Sequence, residues 1–336
     1  MSQNRRDFIR GMGVAGATAL TGLRPDLAAA EPPPEILRIR LGGSPGICFA
    51  PQFVAESLLK AEGFTDVKYA KYTSASDRAR DLATEQIDMT MDLATALVMR
   101  VDAGDPILVL SGIHAGCYEL FGNEQVRTIR DLKGKTVGGP TEPGSSAQIL
   151  LSSMAAYIGL DPRKDIRWVF HPAAESMQLF ADGKLDAFMA FPPEPQEMRA
   201  RRIGHVVVNT AVDLPWAHHF CCLLAANRAF VEKHPVATKR ALRAFVKSAD
   251  LCGLEPDRVA RSLVDQGRTP RYDYAAQTLR EVPYTGKWRE YDPESALRFH
   301  ALRFREIGFV KNTPQKIIAH GTDWRFLNEL KRELKA

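Results

Sequence analysis

Between residues 138 and 148 the chain reads Gly138-Gly139-Pro140-Thr141-Glu142-Pro143-Gly144-Ser145-Ser146-Ala147-Gln148, and few local architectures accept that order. A short apolar run at 135–137 precedes it, and Ile149, Leu150, Met154 and Tyr157 follow at helical spacing. The stretch therefore reads as a turn from strand to helix, with the glycines and prolines excluding regular structure in between. Ser145 and Ser146 are favoured N-cap residues whose hydroxyls can accept from first-turn amides, and Gly144 lets a ligand approach the backbone. The remaining amides and the positive end of the helix dipole form a seat for a carboxylate, a sulfonate or a similar group. A capped loop in any α/β protein would carry the same residues, so the surroundings must decide.

The first thirty residues constrain location. Arg5-Arg6 with Phe8-Ile9, a mild apolar run at 11–23 and Ala28-Ala29-Ala30 describe an export leader of the twin-arginine kind, not a membrane span. Removing these 30 of 336 residues leaves 306, enough for two lobes with separate cores. The leader's four Arg and two Asp contribute +2 of the formal +5, so +3 remains on the rest. Basic and acidic residues are interleaved, as in Lys331-Arg332-Glu333, without a basic stripe; nucleic acid is not an expected partner. Five cysteines without C-x-x-C spacing suggest neither a disulfide framework nor a zinc cluster, and a Cys48 to Cys117 bridge stays open. No cofactor or metal is expected.

From residue 37 onward, strand, turn and helix alternate. Strands are expected at 37–41, 67–72, 89–91 and 107–111, and helices at 49–61, from 73–77 to 84, and from 94 to about 104. The extended segment 114–122 interrupts the rhythm and reads as a crossing into a second α/β unit. That unit carries the helix at 145–158, strands at 166–170, 187–190 and 205–209, and a return at 215–219. Residues 220–226 read as a buried strand, and from 227 the chain is almost entirely helical. The expected boundaries are a leader at 1–30, a first lobe at 31–117, a second at 118–215, and a return to the first at 216–336.

Several stretches carry a family likeness: Asp77-Arg78, Gln86-Ile87-Asp88 before Asp92, Ile129-Arg130-Asp131-Leu132-Lys133-Gly134-Lys135-Thr136-Val137, and Phe180-Ala181-Asp182-Gly183-Lys184-Leu185-Asp186-Ala187. Over about residues 36–250 the chain resembles periplasmic solute-binding proteins of ABC importers, of the nitrate, sulfonate and taurine type, related to receptors for thiamine-pyrimidine precursors. The resemblance implies the type II periplasmic binding protein fold, in which two α/β lobes joined by two crossings close over a small solute in the cleft. It also implies a monomer that hands its solute to an ABC permease in the inner membrane.

Carried over by position, the resemblance lines the first wall with Ser44, Pro45, Gly46, Ile47, Thr73, Ser74, Asp92, Ala94, Thr95, His114 and Gly116. The second wall takes Glu142, Gly144, Ser145, Ser146, Phe191, Pro193 and Glu194, with Trp216, His218 and His219 beside the return. Asp92 could equally cap the helix opening at Ala94, His114 could be structural, and Glu142 and Glu194 could serve only a helix dipole. No Lys or Arg falls in these loops while three carboxylates do, which points away from a bare inorganic anion and towards a sulfonate, an aromatic acid or a heterocycle. Two alternatives share the fold: an enzyme like the thiamine-pyrimidine synthases, and a receptor that feeds a membrane sensor. No G-x-S-x-G, H-E-x-x-H or P-loop is present, so no catalytic residues are assigned and no enzyme is expected.

Overall fold

The computed structural model describes residues 31–72, 75–140 and 142–334; the leader read in residues 1–30 and the candidates Thr73 and Ser74 lie outside the described residues. The first part of the chain runs β1 (Arg38–Gly43), α1 (Ala50–Ala61), β2 (Asp66–Lys71), α2 (Ala75–Ala83), β3 (Met89–Leu93), α3 (Ala94–Asp102) and β4 (Ile107–Ala115). After a crossing come β5 (Glu119–Gly122), β6 (Lys135–Pro140), α4 (Ser146–Tyr157), β7 (Ile166–His171), α5 (Ala173–Ala181), β8 (Ala187–Ala190), α6 (Glu194–Arg201) and β9 (His205–Asn209). The return brings β10 (Phe220–Asn227), α7 (Arg228–Lys233), α8 (Pro235–Leu254), α9 (Pro256–Asp265) and α10 (Tyr272–Glu281). It ends with α11 (Lys287–Glu290), α12 (Pro293–Glu306), α13 (Pro314–Gly321) and α14 (Arg325–Glu333).

Two five-stranded sheets result, ordered β2-β1-β3-β10-β4 and β7-β6-β8-β5-β9. In the first, β1 is parallel to β2 and β3, while the returning β10 runs antiparallel between β3 and β4. The second repeats the plan, with β6 parallel to β7 and β8, and β5 antiparallel to β8 and β9. Each sheet is thus built around parallel strands fed by helical crossovers, with one strand that follows a crossing, β10 in the first and β5 in the second, inserted antiparallel. All nine residues of β4 are buried, which is why it reads as a nearly unbroken apolar run. α8 and α14 lie over β4, while α12 and α13 cover α3.

Two expectations about extent need correction. β1 continues through Gly42 and Gly43, which seemed to end it; a Cβ on Gly42 would sit 2.8 Å from both Ile87 and Thr90, so glycine is what lets β3 approach β1. The crossing is also shorter than 114–122: His114 and Ala115 finish β4, β5 starts at Glu119, and only 116–118 pass between the sheets. The return occupies 210–219, and the two crossings run side by side. The amide of Tyr118 donates to the Thr210 hydroxyl, and the amide of Thr210 to the Tyr118 carbonyl, each at 2.9 Å. A Cβ on Gly116 would fall 1.9 Å from the Thr210 carbonyl oxygen, so this glycine is needed for the crossings to touch.

Candidate functional site

A cavity of about 710 Å³ opens between the two sheets. Its first wall comes from the loop after β1, from α2 and from one side of α3; its second comes from the loop before α4, the start of α4 and the turn before α6. Of the residues expected to line a pocket, Gly46, Glu142, Gly144, Ser145, Ser146, Phe191 and Glu194 meet here, together with Pro45 and Pro193.

Charge in the first wall is internally engaged. The Arg78 guanidinium makes a two-pronged bond to Asp92, Nη2 to Oδ1 at 2.7 Å and Nε to Oδ2 at 3.3 Å, and the two side chains are only 4% and 2% exposed. Asp92 does not cap α3: Leu93 occupies the N-cap position, and Asp92 Oδ1 accepts from the Leu93 amide at 2.8 Å. Arg100 borders the same cavity and is held by Asp105 at 2.5 Å. Two arginines therefore reach the cavity from helices, which corrects the view of its surroundings as free of fixed cations. Arg78 had a readable signal. It stands within the first turns of a short helix, where the dipole disfavours a cation, so a carboxylate partner was to be expected.

The second wall is the reverse. Ser145 takes the N-cap position of α4, yet its side chain makes no cap bond; its Oγ is buried without a hydrogen-bond partner. The Gly144 amide donates instead to Gln148 Oε1 at 2.7 Å, and among the described residues no side chain is bonded to the first-turn amides of α4. Glu142 stands exposed at the rim. Glu194 accepts the Phe191 amide through Oε2 at 2.8 Å and has no cationic partner among the described residues. Its surface faces the cavity but protein walls screen it from bulk water, and this burial pushes the carboxyl up to about 7, with the nearby Glu197 adding and the Phe191 amide opposing.

Aromatic rings join the walls. Phe191 lies 5.0 Å from the Tyr118 ring and 5.9 Å from that of Phe49, and a Cβ on Gly46 would come within 2.7 Å of Phe191. Gly46 also holds φ at +109°, so it satisfies both a left-handed backbone and a close approach between the lobes. Phe49, Tyr118, Met99 and Ile149 complete the apolar lining and were not anticipated, since in sequence each looks like an ordinary core residue.

The other expected residues lie elsewhere. Ser44 is buried, its hydroxyl on the Met91 carbonyl at 3.3 Å, and with Ile47 it borders a neighbouring cavity of about 580 Å³ on the far side of the 44–47 loop. Ala94, Thr95 and Gly116 surround a void of about 20 Å³ with Trp216 and His219, room for a single water beside the unpaired Thr95 hydroxyl. His114 is wholly buried, and burial pushes its imidazole down to about 4, against the pull of the Ala115 and Cys48 carbonyls. His218 is exposed, its ring 6.2 Å from that of Tyr291. All five thiols are free, so the Cys48 to Cys117 bridge is not made; Cys117 Sγ lies 3.0 Å from Cys221 Sγ.

With this geometry in view, comparisons with known proteins are informative. The sequence pattern of the family described as NMT1-like matches residues 32–264, more than half of the chain. Among curated relatives, the bicarbonate-binding protein CmpA of Synechococcus elongatus is 28% identical over 128 residues, and the match spans 38% of this chain but only 28% of that protein's length. The crystal structure of the periplasmic nitrate-binding protein NrtA from Synechocystis PCC 6803 superposes with a TM-score of 0.74 at 14% identity, covering 90% of each chain. The alkanesulfonate-binding protein SsuA from Xanthomonas axonopodis pv. citri, bound to MOPS, gives 0.68 at 18% identity, covering 88% of this chain and 100% of that one. At these identities the structural likeness establishes the periplasmic binding protein fold.

Proposed function

The chain belongs to the NMT1-like family, and on that premise we propose that it is a periplasmic receptor that closes its two lobes over a small organic solute and delivers it to an ABC permease in the inner membrane. The observation that carries this reading is the asymmetry of the 710 Å³ cavity. One wall offers charges already paired with each other, and the other offers a helix start that no described side chain caps, an unpartnered serine hydroxyl and two carboxylates without a cationic partner among the described residues. A cavity of this volume lies within the roughly 300–1,000 Å³ of ordinary ligand sites and admits a solute of several heavy atoms.

The solute class follows from what each wall lacks. The amides of α4 and the Ser145 hydroxyl favour a sulfonate, a carboxylate or a ring acceptor. Glu142 and Glu194 favour N–H or O–H donors on the same molecule, and Phe49, Phe191 and Tyr118 favour a flat or apolar body between them. An aminosulfonate, an aromatic acid bearing a donor, or a heterocycle meets all three demands. The similar fold of the MOPS-bound SsuA is consistent with an organic zwitterion in such a cleft. Arg78 and Arg100 do not restore the case for a bare anion, because Asp92 and Asp105 hold them.

Thermal-shift and calorimetric titration of the exported chain would test this. Aminosulfonates, aromatic acids or pyrimidine heterocycles are expected to raise the melting temperature, and nitrate, bicarbonate and sulfate to leave it unchanged. Strong stabilisation by the inorganic anions alone would overturn the reading.

A further inference from the structure

Behind the cleft, and apart from it, four metal-ligating side chains converge. Cys48 lies in the short turn at Ile47–Phe49, His114 near the end of β4, Cys117 in the first crossing and Cys222 in β10 opposite His114. Their ligating atoms all lie within 4.8 Å of one another, and all four residues are buried. We propose that these residues form a closed site for a thiophilic d10 metal ion, Zn²⁺ or Cu⁺.

Three features beyond proximity support it. His114 Nδ1 lies 2.7 Å from the Ala115 carbonyl, which assigns the proton to Nδ1 and leaves the Nε2 lone pair available. That Nε2 is buried without a hydrogen-bond partner, an orphaned acceptor deep in the core. The surroundings are also fixed: Tyr284 packs its ring edge-on to His114 at 5.0 Å and donates its hydroxyl to the Cys48 carbonyl at 3.0 Å, holding two ligand-bearing segments in place. Three thiolates and one imidazole are a familiar donor set of structural tetrahedral zinc, and the thiolates also suit Cu⁺. Binding Zn²⁺ replaces three S–H bonds by three S–Zn bonds and releases three protons, with no change of oxidation state.

The position gives the site a role. Cys48, His114 and Cys222 belong to the first lobe and Cys117 to the crossing, so the ion would pin the root of the hinge. Cys221, 3.0 Å from Cys117, is the competitor: a Cys117–Cys221 disulfide would remove one ligand, so the ion must enter while the thiols are reduced. Folding before export, as the twin-arginine reading of the leader implies, is compatible with that order.

The test is to purify the full chain anaerobically, measure its bound metal by mass spectrometry, and titrate the stripped protein with Co²⁺ and with Cu⁺. One equivalent per chain is expected, with thiolate-to-cobalt charge transfer and tetrahedral d–d bands that Zn²⁺ abolishes, or with Cu⁺ retained against a competing chelator. Which ion is retained distinguishes the two sources. Cys48→Ala and Cys222→Ala should each weaken metal affinity by at least about tenfold, whereas Cys252→Ala, in α8 and outside the cluster, should not. The proposal falls if the wild-type chain shows no thiolate–metal band with either ion, if the double variant Cys48→Ala/Cys222→Ala binds undiminished, or if the exported protein carries a Cys117–Cys221 disulfide throughout.

Discussion

The two walls of the cleft are made from the same kinds of residue and treat them in opposite ways. In the first lobe, Arg78 and Asp92 are almost wholly buried and neutralise each other, and Arg100 is tied to Asp105. In the second, Ser145 Oγ is buried without a partner, the N-cap side chain makes no bond to α4, and burial holds the Glu194 carboxyl up at about 7. An unsatisfied polar group in a low-dielectric setting is costly for folding alone, so the Ser145 hydroxyl on this wall of the cavity is a group that a ligand could satisfy. On the proposed reading the paired wall is scaffold and the other wall selects.

The largest effect should come from breaking the scaffold. Arg78→Met strands a buried Asp92 and is expected to lower stability by about 3–5 kcal/mol, read as a shift in the urea midpoint without a change in slope. Arg78→Met with Asp92→Leu should recover most of that loss, since an apolar pair of similar volume can replace a buried ion pair. If the double variant stays as unstable as the single one, the pair does more than hold the wall and the contrast fails.

Next in size is the pH response of Glu194. Its folded pKa, about 7, lies above the ordinary value of 4.5. The unfolded chain therefore loses its proton first, and the contribution is fully present below pH 4.5 and is lost as pH rises through 7. The whole step amounts to at most roughly 3 kcal/mol. Glu194→Gln should remove that step, so that the variant gains on wild type between pH 5 and 8 when unfolding is followed across that range. Parallel stability curves for the two proteins would show that Glu194 is not screened as described.

Phe191→Ala should weaken solute binding by about 10–100-fold with a smaller loss of stability, because its ring is only half-buried and borders the cavity. Calorimetry of wild type and variant with the same organic solute separates the two readouts. A large drop in melting temperature with unchanged affinity would move Phe191 from the selecting wall to the scaffold.

How much of this was legible in the sequence depends on the range of the interaction. The loop before α4 was readable because its signal is local: an apolar run, glycines and prolines, then helical periodicity. The crossings were legible as breaks in the strand-and-helix rhythm at 114–122 and 215–219, but their bounds were not, because where β4 ends and β5 begins is set by pairing between strands. Arg78 was not placed in the cleft because its partner Asp92 is fourteen residues away on another element, and an arginine on a short polar helix resembles a solvated one. Asp92 does not serve as the cap because Leu93, one residue later, takes the N-cap position of α3. The convergence of Cys48, His114, Cys117 and Cys222 spans 174 residues and depends on β10 returning between β3 and β4, which no local spacing encodes. Periodicity reveals elements, and only topology reveals which chemistry-bearing residues meet.

The smallest expected effect bears most directly on the selecting wall. Ser145 Oγ is buried and unpaired, so Ser145→Ala removes an unsatisfied group and should leave the melting temperature of the empty protein unchanged or slightly higher. If the hydroxyl meets the solute, the same variant should bind it more weakly by roughly fivefold, about 1 kcal/mol, the net value of one hydrogen bond. The two signs are opposed, and that opposition distinguishes a recognition residue from a structural cap. A true cap would lose stability on substitution and leave affinity alone, which thermal melts of the empty protein and calorimetric titrations of the pair would reveal together.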